Sequence, residues 1–418
     1  MRSKLQPYLN KKNCIGILGA GASGQGAAAL CRKFSIPYEI LEEHKDEFFT
    51  PCFKKYGICV FSPGFPPYHP WWRQAQEAGC LCINEIDFAA LFTVNPFIAV
   101  TGTNGKTSTV ELITQVFNAW GKKACAVGNN GNVLSLEIAK NKADTSKIYI
   151  CEISSYQAWP LKFFKPRYTL WTNFAPDHIL YHGNLNNYFS AKKHLLECTQ
   201  EACFCGHTLE HDLPDLPKVN FAQNPQLYTN WLDNFPVCFS YGQRENFTLV
   251  RFFAEKIGIP LNVINECFKK FAPSKHRLCC CGLQDKMSFW NDSKGTNLHA
   301  VHAALESLKH YPHLHWILGG GAKGEELKTF VSVMNHYPIE KIYLIGETGK
   351  QLYSLKDQFR AETILRNTLK NVFYFLPEEK NFTLVLSPGF TSWDQYPNFE
   401  ERGTEFEACV QNYLNKKS

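Results

Sequence analysis

One heptapeptide constrains this chain more than any other segment: Thr101-Gly102-Thr103-Asn104-Gly105-Lys106-Thr107. It follows the apolar run Phe97-Ile98-Ala99-Val100 and precedes a helical pattern. A strand that passes to a helix through a glycine-rich loop belongs to parallel α/β layers. The loop amides can cradle phosphates, Lys106 can neutralise them and the Thr107 hydroxyl can ligate Mg²⁺. The spacing departs from G-x-x-x-x-G-K-[ST], because only two residues separate Gly102 from Gly105 and Val100 stands at the first glycine's place. A tight turn that binds nothing is the bland alternative, and the adjacent Lys106 and Thr107 weigh against it.

Strand-like runs alternate with helical patterns along the rest of the chain, as layered α/β folds require. Ile15-Gly16-Ile17-Leu18, Tyr38-Glu39-Ile40-Leu41 and Ile58-Cys59-Val60-Phe61 read as strands of a first unit, with a helix over residues 24–33. The turn-rich Pro66-Pro67-Tyr68-His69-Pro70 follows, and the pattern restarts after Val94-Asn95-Pro96. A second unit carries strands at Ile148-Tyr149-Ile150-Cys151 and Thr169-Leu170-Trp171, and residues 208–243 show no clean period. After Ala272-Pro273 a third unit holds His315-Trp316-Ile317-Leu318, Ile342-Tyr343-Leu344-Ile345 and Thr383-Leu384-Val385-Leu386. The expected domains are therefore residues 1–94, 95–273 and 274–418, a division that suits 418 residues at about 150 per domain.

A second glycine cluster, Gly19-Ala20-Gly21-Ala22-Ser23-Gly24, fits G-x-G-x-x-G between a strand and a helix. Glu42 lies 23 residues after Gly19, where an acidic group can bind a ribose hydroxyl. Taken alone, this cluster reads as a dinucleotide site or as an empty tight turn. Glu152 ends a buried run, and a carboxylate at the C-terminal edge of a parallel sheet can hold a nucleotide's Mg²⁺. Asp177-His178 closes another strand-loop, where a lone histidine is more often structural than a ligand. Lys192-Lys193 ordinarily marks a solvated helix face. In the third unit Asn291-Asp292-Ser293-Lys294-Gly295-Thr296-Asn297, Gly319-Gly320-Gly321-Ala322-Lys323 and Ser387-Pro388-Gly389 are polar strand exits. Together they imply a binding crevice along one sheet edge.

Composition removes several classes. The net charge of +6 suits anionic small molecules and is spread too evenly for a nucleic-acid partner. No apolar run is long enough to span a bilayer, and Met1-Arg2-Ser3-Lys4-Leu5 lacks a signal-like apolar core, so no membrane partner is expected. The 17 cysteines form no C-x-x-C, which disfavours zinc ribbons and thioredoxin-like sites. They read as reduced, small hydrophobes in a cytoplasmic protein.

Taken together, the motifs resemble the Mur ligases of bacterial peptidoglycan synthesis. The shortened loop at residues 101–107 resembles the ATP loop of Mur ligases and folylpolyglutamate synthetases. Gly128-Asn129-Asn130-Gly131, Glu152-Ile153-Ser154-Ser155-Tyr156-Gln157, His276-Arg277 and Asn291-Asp292-Ser293-Lys294 resemble further family motifs. Ser62-Pro63-Gly64 and the stretch Leu386-Ser387-Pro388-Gly389-Phe390-Thr391-Ser392-Trp393-Asp394-Gln395-Tyr396, continuing to Gly403, narrow the likeness to the branch that adds D-glutamate. Two segments depart from the family pattern. Ile179-Leu180-Tyr181-His182 stands where an acidic-basic pair is usual, and Arg244-Glu245-Asn246-Phe247 is a reduced adenine-side motif.

The resemblance implies an α/β chain of three domains: a Rossmann-like N-terminal domain, a P-loop ATPase domain and a Rossmann-like C-terminal domain. It implies ATP-dependent ligation of D-glutamate to UDP-N-acetylmuramoyl-L-alanine through an acyl phosphate, with two Mg²⁺ ions, by a monomer. The first glycine loop would then hold the uridine diphosphate rather than a nicotinamide cofactor, with Ala22, Ser23, Glu42 and Glu43 at the uracil end and Asn129 and Gln157 further along. Gly102, Thr103, Asn104, Gly105, Lys106, Thr107, Ser108, Asn246, Arg277, Asp292 and Lys294 would meet ATP. Thr107 and Glu152 would hold one ion, and His178 and a carbamylated Lys192 the other, because a carbamate gives a hard cation an oxygen ligand. Lys106, His178 and Lys192 would serve the chemistry. His178, Thr296, Lys323, Ser392, Trp393 and Phe399 would receive D-glutamate, since a dicarboxylate needs a cation and several donors. Two other readings are a nicotinamide oxidoreductase, which leaves the phosphate loop unexplained, and a nucleotide-binding regulator that has lost ligation.

Overall fold

Short runs buried on both faces make the central strands of this protein, as parallel sheets covered by helices demand. The computed structural model describes residues 7–8, 14–42, 52–129, 131–141, 144–213, 216–235, 240–324, 326–376 and 381–417. The first sheet contains β1 (Ile15–Leu18), β2 (Tyr38–Leu41), β3 (Ile58–Phe61) and β4 (Leu81–Asn84), all parallel in the order β2-β1-β3-β4. The second contains β5 (Phe97–Thr101), β6 (Lys123–Gly128), β7 (Lys147–Glu152), β8 (Tyr168–Trp171), β9 (Ala202–Cys205) and β10 (Val219–Phe221), parallel in the order β10-β9-β8-β5-β7-β6. The third contains β11 (Cys279–Gln284), β12 (Lys286–Asn291), β13 (Leu314–Gly319), β14 (Ile339–Ile345), β15 (Glu362–Asn367) and β16 (Asn381–Leu386), in the order β11-β12-β16-β13-β14-β15. Only the edge strand β11 runs antiparallel to its neighbour.

The chain divides into two compact units. The first comprises Met1–Phe174, Tyr181–Leu227 and Asn246–Phe268; the second comprises Ala175–Leu180, Tyr228–Glu245 and Lys269–Ser418. In the first unit, helices Ala22–Lys33, Glu85–Ala90 and Leu134–Lys140 join two sheets through one core that includes Ile17, Ala28, Phe88, Leu134, Ile138 and Tyr149. Two buried carboxylates stitch that core. Asp87 accepts the amides of Lys162, Phe163 and Phe164 at 2.6, 2.9 and 2.8 Å, and Glu85 accepts the Ser135 amide at 2.6 Å and the Ser135 hydroxyl. In the second unit the sheet has a core on each face, one around Trp316, Leu318 and Val385, the other around Phe289, Ile317 and Phe406.

Three local expectations change. The first helix begins at Ala22 rather than Gly24, directly after Gly21 as its cap. The prolines after β3 do not mark turns alone, because Pro70 opens the helix Pro70–Glu77 and His69 caps it by accepting the Trp71 amide. Residues 208–243 contain β10 and the helix Thr229–Leu232, both too short to show a period. No described helix is long and apolar enough to cross a membrane.

Candidate active site

The loop after β5 is shaped before any ligand arrives. Gly102 has φ 146°, and a Cβ there would stand 1.9 Å from Thr172 Oγ1; Gly105 has φ 82°, and a Cβ would meet Asn246 Oδ1 at 2.3 Å. Only glycine tolerates both the backbone and the closeness. Thr172 donates to the Asn104 carbonyl at 2.5 Å, and Asn173 accepts the Asn104 amide at 2.9 Å. Lys106 opens the helix Lys106–Ala119 and curls its ammonium onto the carbonyls of Gly102 and Thr103, at 2.9 and 2.8 Å. Thr103 pairs its hydroxyl with that of Tyr188, and Ser108 is buried in the helix's first turn. Asn246, buried, accepts from Thr109 at 3.4 Å, so its side chain lies against the loop's own helix.

Glu152 closes β7, in register with Val100 on one side and Gly128 on the other. Its buried carboxylate accepts the Thr107 hydroxyl at 2.8 Å on Oε2 and the Asn129 amide at 3.2 Å on Oε1. No trio of His, Cys, Asp or Glu able to hold a metal occurs among the described residues. One carboxylate and one hydroxyl beside a phosphate loop nevertheless fit Mg²⁺, which keeps water ligands and shares substrate phosphates instead of filling a protein cage. Lys192 projects from the helix Leu185–Glu197 with 1% of its surface exposed. Its ammonium donates to the Gly102 carbonyl at 2.7 Å and lies 4.8 Å from the Tyr188 ring centre, while Lys193 is half-buried.

At the first sheet, the strand order reverses between β1 and β3, and the loops leaving these strands border a cavity of about 400 Å³. Gly19, Gly21, Ala22 and Ser23 line one side; Ser62, Pro63, Gly64, Phe65 and His69 line the other. Ligands of open α/β sheets bind at such switch points. Glu42 is exposed directly after β2, and Glu43 lies outside the described residues. Gln157 is buried, its Oε1 accepting the Ser154 amide at 3.0 Å in a complete capping box, and Asn84 donates to its carbonyl at 2.6 Å.

In the second unit Asp177 gathers the neighbours of the expected amino-acid pocket. Lys323 donates to Asp177 Oδ1 at 3.0 Å and to the Thr296 carbonyl at 2.9 Å; Asn297 donates to Asp177 Oδ2 at 3.0 Å. Burial pushes the Asp177 carboxyl up, yet the charges of Lys323 and His178 and these hydrogen bonds outweigh it and hold it below its usual value. His178 has φ 55° and its Nδ1 lies 3.5 Å from Asp177 Oδ1. Burial pushes the Asp292 carboxyl up to about 7, against the Ser387 hydroxyl that donates to it at 2.7 Å and the charge of Arg277. Lys294 sets its ammonium 3.7 Å from the centre of the Phe399 ring. Ser392 is buried and Trp393 exposed on the same loop.

Sequence reading left Arg402 without a role. It rises from the helix Phe399–Lys417 into the interior, where its guanidinium donates to the carbonyls of Phe390, Thr391 and Ser293 and to the Ser293 hydroxyl. Asp177 and Asn297 stand in sequence motifs that give neither a task. Asp177 meets Lys323 across 146 residues of sequence and Asn297 across 120, so no local pattern announces either contact.

Phosphate loop, strand-end carboxylate and three sheets, parallel but for the edge strand β11, together define a Mur-type ligase. Residues 100–205 match the Mur ligase middle domain. UDP-N-acetylmuramate–alanine ligase from Thermotoga maritima has the same fold, with a TM-score of 0.59 at 14% identity over 96% of this chain and 99% of that one. A UDP-N-acetylmuramoylalanine–D-glutamate ligase of Caldanaerobacter subterraneus subsp. tengcongensis is 30% identical over 96% of this chain and 99% of its own, and that of Natranaerobius thermophilus is 29% identical over 94% and 97%. The chain belongs to the UDP-N-acetylmuramoylalanine–D-glutamate ligase branch of the Mur ligase family.

Proposed function

We propose that this protein joins D-glutamate to UDP-N-acetylmuramoyl-L-alanine at the expense of ATP, in cytoplasmic peptidoglycan precursor synthesis. The observation that carries the reading is the Thr107–Glu152 contact beside Lys106, in a chain that aligns end to end with D-glutamate ligases. The substrate carboxylate attacks the γ-phosphorus, giving an acyl phosphate and ADP. The amine of D-glutamate then attacks the acyl carbon, loses a proton and expels phosphate from a tetrahedral intermediate.

Residues 1–94 are assigned to the sugar nucleotide, 95–273 to ATP and 274–418 to D-glutamate. Lys106 and the loop amides orient the phosphates, and Thr107 and Glu152 would hold Mg²⁺, which neutralises charge on the transferring group. Lys192 is assigned a carbamate, which would give a second ion an oxygen ligand. In the second unit Lys323 supplies the cation for a substrate carboxylate, Thr296 and Ser392 supply hydroxyls, and Phe399 and Trp393 flank the apolar stem. The molecule is assigned as a monomer.

Release of ADP should require Mg²⁺, UDP-N-acetylmuramoyl-L-alanine and D-glutamate together. Equal ADP release with the sugar nucleotide left out would overturn the ligase reading. L-Glutamate should be a poor substitute, because inverting the α-carbon moves the amine or a carboxylate off its partner.

A further inference from the structure

We infer that Tyr181 is a positioning residue for the sugar-nucleotide pocket, its phenol fixing the Pro63-Gly64-Phe65 wall through two main-chain carbonyls. The inference rests on the assignment of the cavity beside β1 and β3 to the uridine diphosphate end of the substrate.

That wall is anchored at Phe65, whose ring packs on Phe61 and Trp71 and whose carbonyl also accepts the Trp72 indole N–H at 3.3 Å, and Tyr181 extends the anchoring across Gly64 to Pro63. Residues 62–65 leave β3 without regular structure, Gly64 is exposed, and the local turn is closed by the Phe65 amide on the Ser62 carbonyl at 3.1 Å. Tyr181 Oη donates to the carbonyls of Pro63 and Phe65, at 3.0 and 3.1 Å, so one proton is shared by the groups on either side of Gly64. These two carbonyls belong to residues that line the cavity. Fixing them fixes the direction of the intervening peptide, and with it the shape presented to a ligand.

The donor is itself anchored. Its ring packs 3.9 Å from the Tyr156 ring centre, and the next residue, His182, pairs Nε2 with Ser155 Oγ at 2.9 Å. Tyr156 and Ser155 lie in the short helix Ser155–Ala158, which the Ser154–Gln157 capping box closes three residues after Glu152. The wall of the first pocket is therefore tied to the strand exit that carries the metal-binding carboxylate. Burial pushes the phenol up to about 12, so it stays a donor throughout the working range of pH. Tyr181 also lines a neighbouring cavity of about 470 Å³ with Trp159 and Tyr68, and its contact with the Tyr156 ring keeps it in place when the hydroxyl is removed.

Tyr181→Phe in the full chain tests this. The KM for UDP-N-acetylmuramoyl-L-alanine should rise roughly 3- to 10-fold, the worth of one hydrogen bond, with kcat and the KM values for ATP and D-glutamate within about twofold of wild type. Calorimetric titration with the sugar nucleotide should show the same loss, and Tyr68→Phe, whose ring is exposed, should match wild type in both assays. An unchanged sugar-nucleotide KM, an equal rise in all three KM values, or loss of the cooperative melt in Tyr181→Phe would each overturn the inference. Wild-type protein that does not bind the sugar nucleotide at all would instead overturn the assignment of the pocket.

Discussion

Asp177 and Lys323 form a buried ion pair, 3.0 Å apart, with 6% and 13% of their side chains exposed. The pair gives Lys323→Ala two consequences. It removes the cation proposed for D-glutamate, and it strands a carboxylate in a nearly dry place. Breaking a buried pair costs about 3–5 kcal/mol, so the single variant should melt several degrees lower as well as show a raised D-glutamate KM. Lys323→Ala with Asp177→Asn should recover much of the melting temperature and none of the D-glutamate affinity. Thermal melts and amino-acid titrations of both variants separate the effects. Unchanged D-glutamate KM in Lys323→Ala would remove Lys323 from the pocket.

The two adjacent lysines of the helix Leu185–Glu197 should differ sharply. Lys192→Ala deletes a buried group that donates to the phosphate loop's Gly102 carbonyl, and should lower kcat by about 100-fold or more. If the group acts as a carbamate, acetate or formate in the assay restores part of the rate. Lys193→Ala should stay within about twofold. Steady-state rates with and without the added carboxylate decide, and a reversed ranking of the two lysines would reject the assignment.

Acid should unfold the second unit by way of His315. Burial, with the Lys341 and His313 charges added and Glu340 opposing, lowers this imidazole to about 4, and its Nδ1 has no hydrogen-bond partner among the described residues. It stacks on Phe382 with the rings 8° from parallel. The folded pKa lies below the unfolded value of about 6.5, so the unfolded chain takes up the proton first. Stability is intact above pH 6.5 and is lost as pH falls toward 4, by on the order of 3 kcal/mol. His315→Phe should flatten the dependence of melting temperature on pH across that window. An unaltered slope would assign the acid sensitivity elsewhere.

Asp87 should prove more important to the first unit than its position away from any ligand implies. Asp87→Ala leaves three main-chain amides without their acceptor, that of Phe164 fully buried and the other two partly, a loss of about 2–3 kcal/mol. Asp87→Asn should also destabilise, because one oxygen becomes a donor facing donors. Urea midpoints of the two variants against wild type measure this, and a shift below about 0.5 kcal/mol would show that water replaces the carboxylate.

The parts of this protein that were legible in sequence are those in which local chemistry decides. The strands at Ile15, Phe97 and His315 are continuous apolar runs because both faces are covered, and the phosphate loop carries its glycines where the chain turns. Strands β6 and β10 escaped notice because Lys123 is exposed at the start of one and the other spans three residues. The helix at Pro70 was hidden by prolines, whose fixed φ also suits a first helical turn. Within the site, Thr107 is legible from the loop pattern and Glu152 from its place at a strand end, and the structure joins them by a hydrogen bond. Asp177, Asn297 and Arg402 acquired roles only through contacts between distant segments. Gln157 shows the converse: Ser154-Ser155-Tyr156-Gln157 spells a capping box that was readable, and its side-chain oxygen is engaged there.

The order of strands in the third sheet bears on how the chain leaves the ribosome. β4 completes the first sheet by residue 84, and that sheet can begin to form while most of the message is still unread. β16 is the last strand made, yet it sits between β12 and β13. Until residue 386 emerges, β12 and β13 each present an unpaired, apolar edge, the state in which nascent chains aggregate. The helix that follows delivers Arg402 to the exits of β12 and β16. A message cut short after β15 would thus yield a well-formed first unit tethered to an open sheet, and such a product is the kind that chaperones and proteases capture first.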